Sequence, residues 1–203
     1  MRIVYLAVKY ITVIGTFLQA FFEHLTCRVY EILIEDGRYL RPNEMCGHME
    51  HEIIRKRSTV FGMCFFPFLF NLLVGLVTVS VGSVNIYYLG EFFTAKGFPH
   101  FLNFLFLWVG ISALTNLFPQ WEDALTLKEE IYGKGKSTML VKIIAAPIFG
   151  ILYAGAFLQR YGLTLLTSVA FSFAVPYILG TFVPTVYELS LIHISEPTRP
   201  ISI

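Results

Sequence analysis

The chain has 203 residues, of which 56% are hydrophobic and 14% charged. Soluble domains carry about a quarter charged residues, so this composition excludes a disordered chain and argues against a soluble globule. The 15 Lys and Arg against 14 Asp and Glu leave a net charge of +1. That balance gives no basic field of the kind that binds nucleic acid. The expected class is integral membrane, with the lipid bilayer as the first partner.

Five hydrophobic elements are predicted in chain order. Met1 to Ile34 is apolar but is interrupted by Arg2, Lys9, Glu23, Arg28 and Glu31. It lacks a small-residue cleavage site before a polar domain, so it reads as an anchor and not as a removed signal peptide. Residues 35–57 (EDGRYLRPNEMCGHMEHEIIRKR) form the largest polar insertion. Gly37, Pro42, Asn43 and Gly47 are turn formers there and predict short strands or a hairpin. Ser58 to Gly90 contains no Asp, Glu, Lys or Arg. At about 1.5 Å per residue it overshoots a hydrocarbon core of about 30 Å, so it must tilt, project, or break near Gly75, Gly82 or Gly90.

Gly97 to Trp121 is the third element. Residues 121–136 are the second polar piece. Its acidic start, Glu122-Asp123, and its glycine- and lysine-rich end suit a short helix with the right dipole complement. The Gly-Lys-Gly-Lys-Ser run lacks the preceding glycine of a phosphate loop. Ile143 to Gln159 and Tyr161 to Tyr187 complete the five. Gly75, Gly82, Gly110, Gly150 and Gly155 suit close helix packing. Leu189 to Arg199, LSLIHISEPTR, resembles the translation of a transposase-type sequencing adapter. Residues 1–188 are therefore expected to be one integral membrane domain, and residues 189–203 an artefactual tail. The expected fold is an all-α polytopic transmembrane helix bundle with a small polar hairpin.

Loop charge sets the expected orientation. Arg38, Arg41, Arg55, Lys56, Arg57, Lys128, Lys134, Lys136 and Lys142 fall on one side. Arg2, Lys9, Lys96 and Arg160 fall on the other. The more basic side is the cytoplasmic one. Tyr87, Tyr88 and Trp121 sit where interfacial anchors belong. Cys27, Cys46 and Cys64 make no CxxC and require no disulfide.

Polar groups at membrane depth are functional hypotheses by default. Glu23 and His24 follow the apolar run Ile11–Phe22, and His24 shares a helix face with Arg28. Snorkelling at the end of the first helix explains them equally well. His48 and His51 lie in a Cys46–Glu52 stretch rich in zinc-ligand types. A solvated hairpin explains that stretch too, and in a strand the two would point to opposite faces. Asp123 either caps a helix or ligates a metal. Glu23, His24, His48, His51 and Asp123 all fall on the same expected side of the membrane. Asn71 and Asn116 are expected to hydrogen-bond backbone inside the bundle.

Three pieces in order resemble the site-2 protease type of intramembrane zinc metalloprotease. Phe66-Pro67-Phe68-Leu69-Phe70-Asn71 resembles the family's Gly-Pro-x-x-Asn, with one extra residue and Phe66 for the Gly. Asn116-Leu117-Phe118-Pro119 followed by Asp123 resembles its Asn-x-x-Pro and Asp ligand. The HExxH piece is degraded: with His24 as the second His, Ala20 and Phe21 stand where the first His and the Glu belong. The resemblance implies zinc held by His24 and Asp123, with His51, His48 or Glu23 as the missing ligand and Glu23 as a substitute base. It equally implies a chain that kept the fold, lost the chemistry and binds a transmembrane peptide or protein partner, and this version is preferred. A small-solute transporter or channel subunit is the reading from another class. No broken-helix pair is evident for it in the sequence.

Overall fold

The computed structural model describes residues 2–40, 49–54, 56–88, 98–133 and 138–194. Helices dominate. Helix α1 spans Arg2–Ile11 and α2 spans Val13–Val29. Strands β1 (Ile34–Asp36) and β2 (Glu50–His51) follow. Helix α3 (Arg57–Ser83) runs on into a π-helical turn at Val84–Tyr88. Helices α4 (Phe98–Thr115), α5 (Trp121–Tyr132), α6 (Met139–Arg160) and α7 (Leu163–Ile194) complete the order.

The first apolar element is not one helix. It turns by 90° between α1 and α2. A bend frees carbonyls that an unbroken helix would have paired. Lys9 O and Ile11 O find side-chain donors, while Val8 O and Thr12 O keep the backbone bonds from Thr12 N and Thr16 N and accept side-chain donors besides. Thr12 Oγ1 donates to Val8 O at 2.7 Å. Thr16 Oγ1 sits 3.1 Å from both Lys9 O and Thr12 O. Trp108 Nε1, from α4, donates to Ile11 O at 3.0 Å. Asn116 Nδ2 lies 2.8 Å from Thr12 Oγ1 and 2.9 Å from Ser112 O. Asn71 Nδ2 donates to Asn116 O at 3.2 Å. Both asparagines are fully buried, as expected of polar groups held against backbone.

The second apolar element stays helical from Arg57 to Tyr87, 31 residues. It does not break at Gly75 or Gly82, and Gly90 lies outside the described residues. These glycines let α4 approach instead. A Cβ at Gly75 would strike Leu114, one at Gly82 would strike the Leu107 backbone, and one at Gly110 would strike the Val79 backbone. A Cβ at Gly155 of α6 would strike the Phe118 ring. Gly150 has open space where its Cβ would be, so packing does not explain it. The α3–α4 contact forms one core, with Val79, Ile86, Leu107, Leu114 and Val175 of α7. A second core joins Val60 and Cys64 of α3 to Leu127 and Ile131 of α5 and Leu152 of α6.

Among the described residues, two helices are long and apolar enough to cross a membrane, Arg57–Tyr87 and Met139–Arg160. The α1–α2 pair makes a third if it counts as one span. His100–Thr115 and Leu163–Leu179 are apolar but shorter. On α6, Ile143, Ile144 and Ile151 are more than half exposed. Exposed apolar surface on that scale needs lipid or a partner.

Helix α2 ends in a Schellman motif. Ile32 N donates to Cys27 O at 2.9 Å and Glu31 N to Arg28 O at 3.3 Å. Glu31 takes the left-handed position, φ 55°, usually given to glycine. That reversal delivers the chain to the expected hairpin. Strands β1 and β2 are antiparallel, with Ile34 opposite His51 and Asp36 opposite Glu50. The turn formers Pro42, Asn43 and Gly47 lie outside the described residues. The polar piece after α4 forms α5, with Glu122 and Asp123 in its first turn as its dipole favours.

Candidate functional site

Helix α2, the hairpin and the start of α5 converge on one polar region. Glu23 faces inward from α2 and is 4% exposed. Its Oε1 accepts from Gln19 Nε2 at 3.2 Å, and its Oε2 accepts from Met49 N at 3.2 Å. Gln19 Oε1 in turn accepts from Lys9 Nζ at 2.9 Å. Gln19 Nε2 also reaches Phe118 O at 3.1 Å. Lys9, Gln19 and Met49 are all buried. A continuous polar strut thus runs from α1, along α2, to the residue that precedes β2. A buried charge is tolerable only when it is hydrogen-bonded and compensated, and here Lys9 and Glu23 share one bridging amide.

His24 follows Glu23 but points about 100° around the helix. Its Nε2 accepts from Arg28 Nε at 3.0 Å. Its Nδ1 lies 2.9 Å from Tyr39 Oη. With Nε2 accepting, a neutral ring carries its proton on Nδ1 and donates to Tyr39. Both ring nitrogens are therefore used within α2 and the segment after β1.

The histidine beside Asp123 is His51. Its Nε2 lies 3.8 Å from Asp123 Oδ1, and its Nδ1 lies 2.9 Å from Glu52 O. A carbonyl only accepts, so Nδ1 carries a proton and Nε2 is the nitrogen turned towards Asp123. Both side chains are mostly buried, at 15% and 23% exposed. Cys64 of α3 packs below, with Sγ 3.8 Å from Asp123 O. Cys27 Sγ lies 3.9 Å from Met63 Sδ, and both cysteines are buried and free. A cavity of about 270 Å³ opens here, lined by Glu35, Glu50, His51, Glu52, Glu122 and Asp123 over an apolar floor of Val60 and Met63.

Zinc catalysis needs three protein ligands and an open position. His51 and Asp123 supply two. Among the described residues no three His, Cys, Asp or Glu side chains are grouped to hold a metal ion. His48 lies outside the described residues. Among the described residues, then, the site offers two of the three ligands that a catalytic zinc needs.

Sequence reasoning passed over Lys9 and Gln19 as members of this region. A signal was there: Thr12, Thr16, Gln19 and Glu23 recur at helical spacing and form a polar stripe on an otherwise apolar segment. Compared with known proteins, the chain matches no family model, no curated protein and no solved structure.

Proposed function

We propose that this chain is a multi-pass integral membrane protein, similar in layout to site-2 proteases, that has lost zinc chemistry and holds a transmembrane peptide or protein partner. Its hairpin and α5 face the cytoplasm in this reading, because the loops on that side carry more Lys and Arg. The observation that carries the proposal is the use made of Glu23 and His24. A catalytic base must reach a water, and a ligand must offer a lone pair to metal. Glu23 instead receives Gln19 and the Met49 N–H, and His24 is held by Arg28 and Tyr39. The partner-facing surface is the cavity beside His51 and Asp123, where carboxylates ring an apolar floor.

A second reading has one observation in its favour. The 3.8 Å approach of His51 to Asp123 is the start of a metal site, and a third ligand would make it a divergent zinc-dependent protease. Co-reconstitution with single-pass segments separates the two. A photo-crosslinker at Thr126 is expected to capture a bound segment, and no segment is expected to be cut. Cleavage that disappears in Asp123→Ala and His51→Ala would establish the protease.

A further inference from the structure

We propose that the groove between the first turns of α3 and α6 binds an anionic phospholipid of the cytoplasmic leaflet. Its phosphate sits at Lys56, Arg57 and Ser58, and one acyl chain runs along Phe61, Val141 and Ala145. The inference goes beyond partner binding at the Asp123 cavity and rests only on the membrane part of that reading. Four observations carry it.

The first is the groove itself, a cavity of about 470 Å³. That lies within the range of about 300–1,000 Å³ of small-molecule sites. Lys56, Arg57 and Ser58 supply its polar wall, and Phe61, Ile131, Val141 and Ala145 its apolar wall. Tyr132 Oη donates to Lys142 O at 3.1 Å and ties α5 to α6 beside it. Among the described residues no Asp or Glu lines this groove, whereas carboxylates ring the cavity beside His51. The two cavities therefore select opposite charges.

The second is place. Arg57 opens one of the two membrane-length helices, and Val141 sits in the first turn of the other. From Ser58 onward α3 carries no charged residue. The groove thus lies where headgroups give way to acyl chains. Basic pockets between spans on the cytoplasmic side suit anionic headgroups. The third is helix ends. The first amides of α3 and α6 have no partner within their own helices. Neither N-cap residue, Lys56 or Thr138, caps its helix with a side-chain bond. Helix N-termini favour a phosphate. The fourth is the face that continues the groove. Met139, Leu140 and Ile144 of α6 are 77%, 71% and 75% exposed beside Val141 and Ala145. An acyl chain leaving the groove covers this face, and a free phosphate leaves it bare.

Lipid retention tests the site. Protein in a neutral maltoside detergent is mixed with equal amounts of phosphatidylglycerol and phosphatidylcholine, and bound lipid is read by native mass spectrometry. A Lys or Arg near an anionic lipid contributes about fivefold in affinity, so phosphatidylglycerol is expected to exceed phosphatidylcholine by about tenfold or more. Lys56→Gln is expected to weaken that preference about fivefold, and Lys56→Gln with Arg57→Gln to abolish it. Val141→Trp fills the apolar wall and is expected to lower retention of both lipids, which keeps the test decisive where Arg57→Gln loses the parent's thermal transition. Equal retention of the two lipids by the parent would overturn the proposal. So would a preference unchanged in both Lys56→Gln and Val141→Trp. Displacement of the lipid by millimolar inorganic phosphate would also overturn it and assign the cations to a free anion. Capture of a segment at Thr126 does not depend on any of these results. A chain that alkaline carbonate releases from vesicles would overturn the membrane reading and this site together.

Discussion

Glu23→Leu is expected to lower stability by about 2–4 kcal/mol, the effect of taking an acceptor from two buried donors. The reason lies in the order of donors and acceptors. Lys9 only donates, so Gln19 must turn its Oε1 towards it. That leaves Gln19 Nε2 aimed at Glu23, which also meets the Met49 N–H. Two donors converge on one side chain, and only a group that accepts at both ends satisfies them. Leucine leaves the Met49 N–H without its acceptor and leaves Gln19 Nε2 only Phe118 O. Glu23→Gln keeps the shape but loses one acceptor, and is expected to lose about 1–3 kcal/mol. Lys9→Met combined with Glu23→Leu is expected to lose less than the two single changes added, because the pair is coupled. Thermal unfolding in detergent reads all three. Parent-like stability of Glu23→Leu would mean that the strut carries no load.

The second large effect is expected at the α3–α4 contact. At Gly110 the backbone of Val79 occupies the place of a Cβ, and at Gly82 the backbone of Leu107 does. Backbone cannot rotate aside as a side chain does, so the helices must separate. Gly110→Ala is expected to lose about 1–3 kcal/mol, and Gly110→Leu more. Gly150→Ala is the internal control, because nothing stands within 4 Å of its Cβ position. Equal melting temperatures for Gly110→Ala and Gly150→Ala would contradict the packing described.

These two sites show what was legible in the sequence. Apolar runs predicted α3, α4, α6 and α7 because a run of that length without charge has few other uses. Turn formers predicted the hairpin, and the acidic start predicted α5. Gly82 and Gly110 were readable as packing positions, although Gly150 shares their chemistry without the contact. The 90° bend was not readable. Thr12 and Thr16 are ordinary in a helix, and what makes them bend partners is Trp108 and Asn116, about a hundred residues away. The same distance hid the site. Glu23 and Asp123 were singled out from their types, but the sequence could not tell which histidine approaches Asp123. Strand pairing chose His51, because Ile34 lies opposite it and the hairpin then folds back over α5. His24 was drawn off by Arg28, four residues on, and by Tyr39.

The proposed loss of zinc chemistry is tested most directly by the metal content of the protein. The protein is purified in detergent, loaded with zinc, desalted and assayed by elemental analysis beside His24→Ala, His51→Ala and Asp123→Ala. No stoichiometric zinc is expected in any of the four, because among the described residues His51 and Asp123 make two ligands where three are required. About one zinc per chain, lost in both His51→Ala and Asp123→Ala, would contradict it and restore the metalloprotease.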